Sequence, residues 1–211
     1  MLPISRSSAT VSKRRPPIYF IRHGETDWNR QGLIQGWTDI PLNVRGHGQA
    51  KAIARALVDV PDFSPDFNFV VSPLLRARQT MGYIAEILAL EPQQIAIEPA
   101  VQELGFGVWE GKPFWELKAS PAYPAHPEER YSWRPDRGES YADGQARIDS
   151  WLDGLDRPTV VVAHGAIGRC LIAGIAGLER RDLVGLEMRQ GSYCRLARGQ
   201  ADWFDANGDA A

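Results

Sequence analysis

The chain is poor in cysteine. Only Cys170 and Cys194 occur among 211 residues, too few for a disulfide framework and not in metal-ligand spacing. They are expected as buried thiols of a reducing, cytoplasmic protein. No His-x-x-x-His, Cys-x-x-Cys or His-x-Asp cluster occurs, so no catalytic metal and no metal cofactor is expected. Long apolar runs are also missing. Nothing approaches the ~20 residues that span a bilayer, and no apolar segment follows Lys13, Arg14 and Arg15 to make a signal peptide. Neither sign of charge is in excess: the formal net charge is -2. That removes any global electrostatic case for nucleic acid or an anionic membrane as partner. A site for a phosphorylated ligand has to be a local basic pocket. There is no internal repeat and no low-complexity stretch.

What remains is ordinary for a soluble globular protein: 44% apolar and 24% charged residues, with enough length for one compact domain and little for a second. Residues 1–17 are expected as a flexible tail, 18–204 as a single domain, and 205–211 as a frayed end. Within the domain, Ile18-Tyr19-Phe20-Ile21, Phe67–Ser72 and Thr159–Ala163 are short apolar runs that predict buried strands. Ile95 and Ile97 mark another, and Tyr193–Ala197 a last strand, placed at an edge. Between them, apolar residues recur at helical spacing in 47–60, from Leu74 to Leu88, from Ser140 (a candidate N-cap) to Leu155, and after Gly165 through Ile175. Residues 105–138, rich in Gly, Pro and aromatics, are expected as an irregular insertion. Strands alternating with helices predict a three-layer α/β/α fold, a mostly parallel central sheet flanked by helices.

Ligands of such sheets bind beyond the carboxyl ends of the strands. Three such ends carry chemistry. Arg22-His23-Gly24 follows the first strand, Ser72 and Arg76 follow the second, and His164-Gly165 follows the 159–163 strand. Transfer of a phosphoryl group without metal needs fixed cations around its oxygens, and the planar, permanently charged guanidinium suits this. Arg22 and Arg76 are the candidates. A neutral imidazole can attack in line through one nitrogen while the other is held, a role open to His23. His164 is a candidate to hold the transferring oxygens. A carboxylic acid must protonate the leaving alkoxide.

The segment Arg22-His23-Gly24-Glu25-Thr26-Asp27-Trp28-Asn29 resembles the defining motif of the histidine phosphatase superfamily, in the branch with the cofactor-dependent phosphoglycerate mutases. Further segments fit in order: Gln35-Gly36-Trp37-Thr38-Asp39; Ser72-Pro73-Leu74-Leu75-Arg76; Glu103 through Phe106-Gly107-Val108-Trp109-Glu110-Gly111; and Val161-Val162-Ala163-His164-Gly165. The resemblance spans residues 18–200. It implies that His23 becomes phosphorylated, that Arg22, Arg76 and His164 bind the phosphoryl group, and that Glu103 is the general acid and then the base for water. It also implies that Asn29, Gln35 and the Gly165 amide line the phosphate pocket. Glu110 is the rival carboxylate.

Mutases of this branch are expected to carry a longer insertion between the acid and the second histidine. Here 60 residues separate Glu103 from His164, which favours a phosphatase acting on a small-molecule phosphate monoester. The alternatives are mutase-type phosphoryl transfer and phosphoprotein hydrolysis. A homodimer is expected from the resemblance alone.

Overall fold

A computed structural model describes residues 15–61, 63–207 and 209. The expected tail at 1–17 thus lies outside the described residues as far as 14. In chain order the elements are β1 (Ile18–Arg22), α1 (Asp27–Gln31), α2 (Val44–Val58), β2 (Asn68–Val71), α3 (Leu75–Leu88), β3 (Ile95–Ile97), α4 (Phe114–Ala119), α5 (Pro127–Ser132), α6 (Tyr141–Asp153), β4 (Thr159–Ala163), α7 (Gly165–Ala176), α8 (Arg180–Gly185), β5 (Ser192–Ala197) and β6 (Gln200–Asp205).

The six strands form one sheet in the order β3-β2-β4-β1-β5-β6. The first four are mutually parallel, and β5 and β6 run antiparallel. Side chains of a strand alternate between faces, and the central strands bury both. Ile18, Phe20, Val161 and Ala163 pack with Ile148 and Leu152 of α6 and with Ile167, Cys170 and Leu171 of α7. Tyr19, Ile21, Val160 and Val162 pack on the other face, with Ile53 and Leu57 of α2 and Ala77, Met81 and Ile84 of α3. Each large aliphatic or Phe side chain among them contributes about 1.5–3 kcal/mol by leaving water. The expected three-layer α/β/α arrangement with a mostly parallel sheet is what the chain forms.

Local chemistry sets the helix starts. Thr26 and Ser140 make reciprocal capping boxes with Asn29 and Asp143, and Asn43 caps α2 by accepting from the Gly46 amide. Each such cap stabilises its helix by about 1 kcal/mol.

Two sequence expectations need correction. The Tyr193–Ala197 strand is not at the edge: β5 lies between β1 and β6. Residues 200–205 extend the sheet because Arg198-Gly199, both at positive φ, turn the chain back on itself. Trp203 of β6 then packs on the α6–α7 core and Phe204 on the α2–α3 core. The insertion at 105–138 is only partly irregular, since it holds α4 and α5, each one to two turns long. At the C-terminus, Asp205 ends β6, and its carboxylate accepts from the Asn207 and Asp209 amides; residues 208, 210 and 211 lie outside the described residues.

Candidate active site

Adjacent parallel strands β1, β4 and β2 end side by side and deliver His23, His164 and Ser72 to one place. The His23 amide donates to the Ala163 carbonyl at 3.0 Å, and the Ser72 amide to Val162 at 3.1 Å. The ladder thus carries on past the last strand residues and fixes the three side chains relative to one another.

His23 is buried, 2% exposed. Its Nδ1 lies 2.7 Å from the Gly24 carbonyl. A carbonyl only accepts, so Nδ1 carries the proton and Nε2 keeps its lone pair. Burial, then the charges of Arg76 and Arg22, hold the imidazole well below the ordinary histidine range; the Gly24 hydrogen bond opposes them weakly. The ring is therefore neutral at neutral pH, as a nucleophile requires. Gly24 leaves no room for a side chain, since a Cβ there would collide with the Gly46 carbonyl. Its amide donates to Thr80 Oγ1 at 3.1 Å.

Arg76, 1% exposed, has its guanidinium fixed on three sides. It donates to the carbonyls of Thr38 at 2.9 Å and Gly36 at 2.8 Å, and through Nε to His164 Nδ1 at 3.2 Å. Arg22 donates to the Met188 carbonyl at 2.6 Å, and its Nε is enclosed without a partner. Neither arginine has a carboxylate within ion-pair distance among the described residues. Burial lowers the Arg22 pKa to about 10 and lowers that of Arg76, yet both remain cations at neutral pH. Glu103 acts on both from a distance, and Asp39 and Glu110 on Arg76, but two buried guanidiniums with no direct ion pair still make a site for an anion.

Both amide side chains at the site are oriented by Thr26. Gln35 Oε1 accepts from Thr26 Oγ1 at 3.0 Å. Asn29 Oδ1 accepts from the Thr26 amide at 3.2 Å and from Gln190 Nε2 at 3.1 Å. With their oxygens taken, their NH₂ groups are left as donors for the cavity that both line. This cavity, about 220 Å³, has Arg22, His23, Arg76, Glu103 and Gly165 in its wall.

Glu103, 9% exposed, sits across the N-terminus of α7. Its Oε1 accepts from the Ile167 and Leu104 amides at 2.9 and 3.0 Å, and Oε2 from the Ala166 amide at 3.1 Å. The Ala166 and Ile167 amides are ones that a helix start leaves unpaired. Oε2, with one bond, keeps capacity for a further partner on the cavity side.

Two further candidates make their contacts with the protein itself. His164 is fully buried, and both of its ring nitrogens are hydrogen-bonded within the protein. Arg76 Nε–H occupies its Nδ1, so its proton is on Nε2, which donates to Ser72 Oγ at 2.6 Å. It touches the site through Arg76, with its ring centroid 5.0 Å from that of His23. Glu110, the rival carboxylate, is spent on backbone. Its Oε1 accepts from the Trp37 and Phe106 amides, and its Oε2 from the Thr38 amide and hydroxyl, at 2.6–3.1 Å. It staples the loop whose carbonyls hold Arg76.

The sequence reading missed Gln190 and Met188 in the α8–β5 connection, and Arg169 on α7, which lines the cavity wall. Only Arg169 left a signal, five residues after His164 and one helical turn from Gly165. Among the described residues no group of three or more His, Cys, Asp or Glu is placed to hold a metal ion, and no helix is long and apolar enough to cross a membrane.

Comparison with known proteins places this geometry. Residues 18–204 match the family model described as histidine phosphatase superfamily (branch 1). The chain is 34% identical over 160 residues to the uncharacterized phosphatase PhoE of Bacillus subtilis, covering 76% of this chain and 77% of that one. It is 30% identical over 208 residues to a probable phosphoglycerate mutase, GpmB, of Enterobacter sp. strain 638, covering 89% and 87%. Among solved structures, mycobacterial glucosyl-3-phosphoglycerate phosphatase in complex with VO₃ superposes with a TM-score of 0.75 at 28% identity, over 89% of this chain and 96% of that one.

Proposed function

The chain belongs to the histidine phosphatase superfamily and is a phosphatase, and we propose that it hydrolyses a small-molecule phosphate monoester through a phosphohistidine on His23. One observation carries the reading: Arg22 and Arg76, without carboxylate partners, flank a neutral imidazole whose Nε2 is free.

A phosphate dianion in the cavity meets the two guanidiniums and the Asn29 and Gln35 NH₂ groups, with the Gly165 amide at the start of α7 as a further donor. His23 Nε2 attacks phosphorus as the bond to the leaving oxygen breaks, and the electron pair of that bond stays on the oxygen. Glu103, as the general acid, gives it a proton, so the alcohol departs neutral. Charge that develops on the equatorial oxygens is met by cations already in place, which need no reorganisation. In the second step water attacks phosphorus. Glu103, now a carboxylate, takes one of its protons, the P–N bond breaks, and His23 is neutral again. His164 acts through Arg76: it accepts from Nε and, pinned by Ser72, fixes the guanidinium plane.

The test is hydrolysis of p-nitrophenyl phosphate in EDTA by wild type and His23→Ala, with phosphoglycerate interconversion assayed on the same preparation. Metal-free hydrolysis that falls at least ~10³-fold in the variant is expected, the scale on which removal of a catalytic nucleophile acts. Activity lost in EDTA and restored by Mg²⁺ would contradict it. The relative named as a mutase supplies a second reading, and interconversion without hydrolysis would select it.

A further inference from the structure

Beside the phosphate cavity lies a second hollow of about 310 Å³. Phe106, Phe114 and Arg169 line both, so the two adjoin. A monoester with its phosphate over His23 has this hollow next to its alcohol part.

The walls of the hollow have a definite chemistry. Phe106, Phe114, Tyr123, Trp133 and Tyr141 give it aromatic faces, and Tyr123 and Trp133 are packed edge to face at 5.2 Å. Rigid aromatic walls favour a flat, apolar occupant. The charge is one-sided. Lys118, Arg130 and Arg169 are cations, and the one acid in the wall, Glu139, is already held by Arg147 at 3.0 Å. Arg130 is itself occupied, donating to the Pro124 and Ala125 carbonyls and stacked on Tyr123. Lys118 and Arg169 have no carboxylate partner among the described residues. Lys118 hangs over the Phe114 ring at 4.8 Å. Arg169 is anchored by Nε to the Leu186 carbonyl at 2.7 Å and by one terminal nitrogen to the Tyr141 hydroxyl at 3.1 Å. Its other terminal nitrogen makes no hydrogen bond among the described residues, and the residue lines both cavities. A guanidinium fixed at two points and open at the third is pre-organised for one more acceptor.

We propose that this hollow is the leaving-group subsite and that it selects a phosphate monoester of a ring-bearing alcohol that also carries a carboxylate, read by Arg169 with Lys118 behind it. This rests on the phosphatase reading of the His23 site. The carboxylate belongs near the scissile phosphate, because Arg169 stands at the boundary and not at the far wall. An uncharged ring alcohol fills the hollow and leaves both cations unmet. A small acyclic acid meets Arg169 and leaves the aromatic faces wet.

A matched pair of substrates reads the charge alone: 3-carboxyphenyl phosphate and its neutral, nearly isosteric counterpart, 3-carbamoylphenyl phosphate, with p-nitrophenyl phosphate as the control. In wild type the carboxylate substrate is expected to have the higher kcat/KM, by about tenfold or more, carried mainly by KM, since a charged hydrogen bond of ~1.4 kcal/mol is worth a factor of ten. In Arg169→Gln that ratio falls towards one, and Arg169→Lys keeps part of it. Lys118→Gln, at an exposed position where folding is not at issue, lowers the ratio by a smaller factor. A wild-type ratio of one or less overturns the proposal, as does an unchanged ratio in Arg169→Gln. Failure to cleave either member of the pair while p-nitrophenyl phosphate is hydrolysed overturns it as well. If p-nitrophenyl phosphate is also inert, the phosphatase reading itself has failed, and the subsite falls with it.

Discussion

At the scale of single residues, the site is built by enclosing groups that prefer water and leaving them short of partners. His23 and His164 are both held well below the ordinary histidine value of 6.5, by burial first and then by neighbouring guanidiniums. In the unfolded chain both protonate near that value; in the folded chain they do not. The unfolded state therefore binds more protons below about pH 6.5, and stability falls as pH drops from there towards the folded values. Above pH 6.5 both states are neutral and the effect vanishes. The loss approaches about 1.4 kcal/mol per pH unit for each histidine. Urea unfolding between pH 7.5 and 5.5 checks this. His164→Asn should show a shallower decline than wild type; parallel curves would mean that the ring is not held neutral. The residue types at the site were legible from the sequence because His-Gly and Arg-His-Gly stand at strand ends. The division of labour was not. That His164 bonds to Arg76 and Ser72 depends on which ring nitrogen meets which partner, and motif spacing carries no such information.

At the scale of elements, two carboxylates near one another have opposite duties. Glu103 caps α7 through the Ala166 and Ile167 amides while facing the cavity. Glu110 ties Trp37, Thr38 and Phe106 together and so sets the Gly36 and Thr38 carbonyls that grip Arg76. Gly36, at φ 51°, lies against that carboxylate with no space for a Cβ. Glu110→Gln puts an NH₂ where backbone amides donate, at a cost of about 1–3 kcal/mol. Its expected signature is a lower melting temperature and a higher KM for every substrate, as Arg76 loosens. The ratio of rates on poor and good leaving groups should stay as in wild type. A loss confined to poor leaving groups would make Glu110 the acid. Elements with strong periodicity, β1, β4, α3 and α6, were readable from the sequence. β6 was not, because Gln200–Asp205 alternates weakly and becomes a strand only through pairing with β5. The short helices α4 and α5 lack the length for a periodic signal and are held by tertiary contacts.

At the scale of the molecule, the parallel strand ends β2-β4-β1 form one rim, and the loops after β1, β2 and β4 meet above it. The consequence is a fold that holds two arginines without a direct ion-pair partner at its centre, where an anion binds favourably. A ligand that binds only the folded state adds RT ln(1 + [L]/Kd), about 2.7 kcal/mol at a hundredfold excess over Kd. Inorganic phosphate or vanadate should therefore raise the melting temperature, and Arg76→Met should abolish the rise, measured at constant ionic strength. An equal rise in the variant would place the anion elsewhere. The mostly parallel sheet and the meeting of Arg22, His23 and Arg76 were foreseeable from alternating strands and helices, because ligand sites of such sheets lie at strand carboxyl ends; the strand order was not, and Glu103 was indicated by the family resemblance alone. The second hollow was not, since its walls come from the insertion, α6, α7 and α8, and only the folded chain brings Arg169 beside Phe114 and Phe106.

The most direct measurement is to trap the covalent intermediate. Glu103→Gln with p-nitrophenyl phosphate needs little help for the first step, whose leaving group departs without a proton, but lacks the base for the second. Mass spectrometry after rapid quenching at alkaline pH should find one added phosphoryl group, acid-labile and on the peptide that contains His23, and nothing on Glu103→Gln/His23→Ala. A phosphoryl group on another residue, or none while nitrophenol is still released in a burst, would contradict His23 as the nucleophile.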